Sequence, residues 1–123
     1  MIACVEKAGA LDRCIFWSPS KKILRGLRAV SPAARLMAPR TPYANLDAAI
    51  ADYGAAIVEF DAEVDDLDEI ETCRARGVEA MIKYFGDDRA EMERLIRLRP
   101  DRVNIDRPDI FLAGYRTVIR SFG

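Results

Sequence analysis

The chain has 123 residues, half of them hydrophobic, with 19 basic against 20 acidic side chains and no histidine. That length fits one domain, and the near-zero charge gives no electrostatic ground for a nucleic-acid or anionic-membrane partner. The missing imidazole excludes Ser-His-Asp and Cys-His hydrolysis, His-ligated metals and His general acid/base chemistry within this chain.

The N-terminal stretch Met1–Cys14 carries a charge every few residues and has no apolar segment of the secretory kind. No apolar run approaches the roughly 18 to 20 residues that a membrane helix needs. Short apolar runs then recur: Cys14–Trp17, Leu36–Ala38, Ala56–Phe60, Ala80–Phe85 and Val103–Ile105. Each suits a strand by length and by its β-branched or aromatic content. Stretches with helical spacing separate them. Ile23, Leu24, Leu27 and Val30 share one face, as do Leu46, Ala49, Ile50 and Tyr53. Leu67, Ile70 and Cys73 follow, then Met92, Leu95 and Ile96, and a last helix carries Ile110, Phe111, Tyr115, Val118 and Ile119.

Punctuation agrees with this division. Ser18 or Ser20 can cap the first of these helices, Pro42 or Asn45 marks the start of the second, and Asp65 or Asp66 opens the third. Gly77 closes that third helix as a C′ glycine. Asp87 and Asp88 place acid at the N-terminus of the fourth, and Pro108 takes a first helical position. Strands recurring at intervals of about 20 to 25 residues with helices between them predict parallel strands and right-handed crossovers. The fold class is α/β, either an open doubly wound sheet or part of a (β/α)8 barrel. No GxGxxG or P-loop favours a nucleotide fold, and the acidic cluster of a receiver domain is not visible. Cys4, Cys14 and Cys73 form no CxxC pair and are odd in number. They read as buried reduced thiols, which fits a cytoplasmic location.

Three segments resemble the glycerophosphodiester phosphodiesterases. Ile15-Phe16-Trp17-Ser18-Pro19-Ser20, followed by Leu24, Leu27, Arg28 and Ser31-Pro32, is similar to the family's "SF…L…lr…P" segment. Gly77–Asp88 is similar to its "Gl.v..WTvN" segment in a bacterial variant nearer "YYGGDD", and Val103–Asp109 to its "iiTD.P" motif. The three occur in family order. The resemblance implies a partial (β/α)8 TIM barrel of about five parallel βα units, strands four to eight, with residues 1–123 as the C-terminal part of the domain. It also implies that the family's acid/base histidines and metal carboxylates, carried on strands one to three, lie outside this sequence. Phosphodiester cleavage needs charge neutralisation, an activated nucleophile and a protonated leaving group. The chain then resembles a phosphoric diester hydrolase of lipid and glycerol metabolism that is incomplete alone, with no catalytic residue and no metal ligand of its own. A divalent metal, Mg or Ca, is implied only for the intact fold.

Strand C-terminal ends carry function in such barrels, which selects Ser18, Arg40, Glu59, Asp61, Lys83, Tyr84 and Asp106. Ser18, Glu59, Lys83 and Tyr84 are the substrate-binding candidates. Glu59 and Asp61 point the same way by alternation. They can be a metal pair, or a polar strand end with a helix cap, and Glu59 can face substrate in the intact barrel. Lys83 stands where the family has a Trp, and it can contact a phosphate or snorkel to the surface. Asp106 fits a cap before Pro108, and Trp17 fits the core. The acidic run Glu63–Glu71 lacks the spacing and glycine of a calcium loop.

Part of a barrel leaves strand edges and inward apolar side chains uncovered. The expected partners are therefore a homo-oligomer or a separately encoded N-terminal barrel half. The alternative to a split enzyme is a non-catalytic, self-associating α/β interaction module.

Overall fold

In the computed structural model, residues 14–122 are described. Cys4 and the stretch before Cys14 that was read for a leader lie outside them. Among the described residues nine elements alternate in chain order. They are α1 (Lys21–Val30), β1 (Met37–Pro39), α2 (Leu46–Ala51), β2 (Ile57–Asp61), α3 (Glu69–Ala75), β3 (Glu79–Tyr84), α4 (Arg89–Arg97), β4 (Arg102–Ile105) and α5 (Pro108–Phe122). The strands form one parallel sheet in the order β1-β2-β3-β4, so every connection is a helical crossover. The expected α/β class, part of a (β/α)8 barrel, holds.

The chain divides into two compact units, Met1–Val58 and Glu59–Gly123. In the first, Ser20 caps α1 by accepting from the Ile23 amide, and Asn45 caps α2 by accepting from the Ala48 amide. Phe16, Leu24, Ala34, Leu36, Ala38, Tyr53 and Ala55 form its core. The phenol of buried Tyr53 donates to the Met37 carbonyl (2.8 Å), so its polar end is satisfied.

Two expectations change in this unit. The Cys14–Trp17 run is no full strand. It makes a single parallel bridge, Phe16 to Leu36, closed by Phe16 N–H to Arg35 C=O (2.9 Å) and Met37 N–H to Phe16 C=O (3.1 Å). Trp17 is not core but half exposed. Pairing is a property of the neighbour as much as of the run, and here it stops after one residue. The four-residue apolar face of α1 is also narrower than its spacing implied. Leu24 is buried and Leu27 half-buried, whereas Ile23 and Val30 are exposed.

In the second unit β3 alternates cleanly. Ala80, Ile82 and Tyr84 are buried, and Glu79, Met81 and Lys83 are half-buried. One sheet face therefore packs under helices and the other is open. Phe60, Ile70, Cys73, Met92, Leu95, Ile96 and Val118 join the buried set. The register of β4 on β3 pairs Met81 with Arg102 and Lys83 with Asn104.

Asp88 caps α4 by accepting from the Ala90 and Glu91 amides, and Gly77 (φ 71°) follows α3 in the left-handed conformation that glycine adopts freely. The start of α3 differs from expectation: Asp68 occupies the N-cap position without a side-chain cap bond. Asp65 instead accepts from the Asp61 amide (2.7 Å), and Asp66 accepts from the Asp68 amide (3.0 Å). The acidic run is spent on turns. At the last helix Pro108 is the first residue, so Arg107 and not Asp106 holds the cap position, its carbonyl accepting from the Phe111 amide (3.1 Å).

Candidate functional site

The open face of the second unit gathers the polar side chains. Its strands present Glu59 and Asp61 from β2, Glu79 and Lys83 from β3, and Arg102 and Asn104 from β4. Three cross-strand contacts tie them together. Arg102 Nε stands 3.4 Å from Glu79 Oε1, Lys83 Nζ stands 3.7 Å from Asp61 Oδ2, and Asn104 Nδ2 donates to Glu59 Oε2 (3.3 Å). Met81 is the apolar member of this face on β3. The inward apolar surface expected from a part-barrel is thus largely charged here.

Asp61 works locally as well. Its Oδ1 accepts from the Glu63 amide (2.9 Å), and its carbonyl accepts from the Asp65 amide (2.9 Å), so the chain turns at the end of β2 around this residue. Lys83 keeps about a third of its side chain exposed (35 %). It is the cation at the C-terminal end of β3, the end where a barrel places its chemistry.

The other candidates are placed differently. Tyr84 alternates to the opposite face of β3 from Lys83. It is buried, and its phenol oxygen accepts from the Asp88 amide (3.3 Å). It supports the turn into α4 and does not share a face with Glu59 and Lys83. A Cβ on Gly86 would fall 2.4 Å from that phenol oxygen, so glycine is required there by contact. Ser18, in the first unit, is half-buried and accepts from the Ser20 amide (3.1 Å), a turn bond leading into α1. Arg40 donates to the Tyr43 carbonyl (2.9 Å). Asp106 is exposed after β4. Asn104, Arg102 and Glu79 were not singled out from the sequence. The signal for Arg102 and Asn104 was the alternation of β4 around Val103, and that for Glu79 the alternation of β3, but only the register shows which face they join.

The carboxylates of the face do not fit a divalent cation. Glu59 is engaged by Asn104, Asp61 lies beside the Lys83 ammonium, and among the described residues no three Asp, Glu or Cys side chains are grouped as metal ligands. The strongest electrostatic cluster lies in the first unit. Asp52 accepts from Arg25 Nε (3.2 Å) and from the Tyr43 phenol (2.7 Å), with Lys21 Nζ at 3.7 Å. Those bonds, chiefly the one from Arg25, hold the Asp52 carboxyl below the ordinary carboxylate range. Burial, and then the bond to Asp52, push the Tyr43 phenol well above its own range. Lys21 also sits 4.4 Å over the Tyr43 ring. Every member of the cluster is satisfied by another, which marks it as a helix-to-helix clamp.

A parallel wall of strands with polar side chains on its open face is part of a (β/α)8 barrel. No protein-family profile matches the chain, and no curated protein does. Among solved structures it is similar to the glycerophosphodiester phosphodiesterase of Agrobacterium tumefaciens, at 29% identity and a TM-score of 0.82, over 92% of this chain and 49% of that one. It is also similar in fold to a glycerophosphodiester phosphodiesterase from Parabacteroides distasonis, at 13% identity and a TM-score of 0.73, over 99% of this chain and 50% of that one. The chain spans about half the length of the structures it matches. The resemblance read from the sequence, to the glycerophosphodiester phosphodiesterases, holds, over about half of each of those chains. Among the described residues no helix is long and apolar enough to cross a membrane.

Proposed function

We propose that residues 1–123 are the C-terminal part of a glycerophosphodiester phosphodiesterase-type domain, a phosphoric diester hydrolase of lipid and glycerol metabolism that is catalytically incomplete without the rest of its barrel. The observation that carries the reading is the 29% identity to the Agrobacterium enzyme over 92% of this chain but only 49% of that one. In this reading Lys83 supplies positive charge to a phosphoryl oxygen, while Glu59, oriented by Asn104, accepts from a substrate hydroxyl. Tyr84 supports the turn that follows Lys83, and Ser18 the turn into α1. The acid/base groups and the divalent metal, Mg or Ca, belong to the part of the barrel outside this sequence, in keeping with the absence of histidine and the misfit of these carboxylates to a cation. The completing partner is an N-terminal barrel half or, failing that, further copies of this chain. A cytoplasmic location belongs to this reading, on three cysteines, an odd number, that form no CxxC pair.

The test is hydrolysis of glycerophosphodiesters by the purified chain, with Mg²⁺ or Ca²⁺ and with EDTA, alone and with an N-terminal barrel half added. The expected result is no turnover alone, and turnover with the half that EDTA abolishes. Metal-dependent turnover by the chain alone, above a mock-purified control, overturns the incomplete-enzyme reading.

A further inference from the structure

At the N-terminal ends of β3 and β4, opposite the end that carries Lys83, the C-terminal ends of α3 and α4 meet. Arg74 joins them, donating from α3 to the Leu98 carbonyl (3.4 Å) and the Arg99 carbonyl (2.8 Å) that follow α4. Glu71, Arg74, Arg97, Leu98 and Arg99 line a groove of about 550 Å³ there. Arg97 and Arg99 are exposed. Three guanidinium groups thus share the groove with one carboxylate, Glu71, which pairs with Arg74.

Positive charge at a helix C-terminus ordinarily complements the last carbonyls and needs no ligand to explain it. Here those carbonyls are already engaged. After α4, the Leu98 and Arg99 amides donate to the Leu95 and Ile96 carbonyls (3.1 and 3.0 Å), and Arg74 takes the next two. After α3, the Arg76 amide donates to the Thr72 and Cys73 carbonyls (3.1 and 3.0 Å), and the Gly77 amide to that of Arg74 (3.2 Å). Arg97 and Arg99 are therefore not required as caps.

The backbone of Arg99 points the same way. Its φ is 56°, and among the described residues it is the one non-glycine in the left-handed region. Glycine takes that conformation freely after a helix, as Gly77 does after α3. A Cβ opposes it, and so does the proline that follows, Pro100, which drives the residue before it toward extended backbone. A side chain held on a strained backbone serves something other than the turn itself. What Arg99 adds is a third guanidinium to the groove.

Every cation lining the groove is an arginine, whose planar fork matches phosphate oxygens. The lining charge is three guanidiniums less one carboxylate, two positive in all. It matches a doubly charged phosphate monoester better than a singly charged diester. We propose that this groove binds the phosphate group of a monoester, held by Arg97 and Arg99, with Arg74 fixing the two helix ends between which it lies. The site is remote from Lys83 and does not rest on the phosphodiesterase reading.

The experiment titrates ethyl phosphate into the full chain at constant ionic strength and follows the amide and arginine side-chain N–H resonances. Saturable shifts are expected at Arg97 to Arg99, and diethyl phosphate is expected to bind about tenfold more weakly or worse. Arg97→Gln is expected to weaken ethyl phosphate binding by about tenfold or more. Arg99→Gly is the decisive variant, because it removes the guanidinium and relieves the backbone together. It is expected to lose affinity to a similar degree while its melting temperature rises by about 2–5 °C, so that lost binding cannot be lost folding. Vesicles containing phosphatidic acid form a second arm: competition by ethyl phosphate places the ligand in solution, whereas binding to the vesicles alone assigns the same phosphate chemistry to a lipid headgroup. Shifts that chloride reproduces, or that Arg97→Gln leaves unchanged, overturn the proposal. A lower melting temperature in Arg99→Gly also overturns it, for Arg99 would then serve the turn.

Discussion

The clamp of the first unit and the open sheet face of the second use their polar side chains in opposite ways. In the first, Lys21, Arg25 and Tyr43 converge on one carboxylate, Asp52, and Arg28 donates to the carbonyls of Pro32, Tyr53 and Gly54. These residues sit on helices and loops, and each bond joins segments distant in sequence or closes a turn. In the second, Arg74 and Arg89 make comparable bonds from helices, to the Leu98, Arg99 and Ala113 carbonyls and the Thr117 hydroxyl, but on the open face the polar groups sit on the strands themselves, and their cross-strand contacts are single and long, between 3.3 and 3.7 Å. Interlocked bonds fix a backbone, whereas long exposed pairs hold side chains loosely and contribute little energy. The second arrangement is what a surface awaiting a ligand or further barrel layers requires, and the first is what a wall requires.

The comparison is broken most directly through Phe60, fully buried between Glu59 and Asp61 on β2. Phe60→Ala is expected to cost about 3–5 kcal/mol by loss of burial and the cavity left behind, whereas Glu59→Gln next to it costs less than about 0.5 kcal/mol. Urea unfolding followed by circular dichroism checks both. Equal costs would mean that the open face is as much a part of the fold as the helix-covered one.

Between these extremes lies Arg28. Arg28→Ala removes bonds to three carbonyls and the packing of the stem, an expected loss of about 1–3 kcal/mol. Lys83→Met, which removes only the pair with Asp61, is expected to stay within about 0.5 kcal/mol. Trp17 is the single tryptophan and lies in the first unit, so its fluorescence reports Arg28→Ala directly, while amide exchange on β3 reports Lys83→Met. A Lys83 loss as large as that of Arg28 would erase the distinction.

The features legible in the sequence were the local ones. Ser20, Asn45 and Asp88 cap helices because a short oxygen-bearing side chain before a helix satisfies amides two or three residues on. Gly77 ends α3 and Pro108 begins α5 for equally local reasons. The features that escaped were decided at a distance. Several aspartates could have opened α3, and the choice fell to Asp68 because Asp65 was drawn to the Asp61 amide. Asn104 became a site residue only through the β3–β4 register and a reach across an intervening strand. Tyr84 is the instructive case. Alternation from Lys83 places it on the other face of the strand, and that rule outranks its position near the strand's end.

Asp52 gives the smallest and sharpest contrast. Its carboxyl titrates below the ordinary value, chiefly through the bond from Arg25 and next through that from Tyr43. A carboxyl depressed in the folded state binds its proton more weakly there than in the unfolded chain. Its stabilisation is therefore complete above the ordinary value near 3.9 and drains away as pH falls through the lower folded value. The expected amount is about 0.5–1 kcal/mol, since the guanidinium that carries the bond is half exposed and screened. Asp52→Asn is expected to lower stability by that amount at neutral pH, by less near pH 3, and to flatten this part of the acid limb followed by Trp17 fluorescence. Arg25→Gln should reproduce most of the effect. A parallel loss at both pH values would show that Asp52 acts by packing and neutral hydrogen bonds, and the first unit's clamp would then owe nothing to charge.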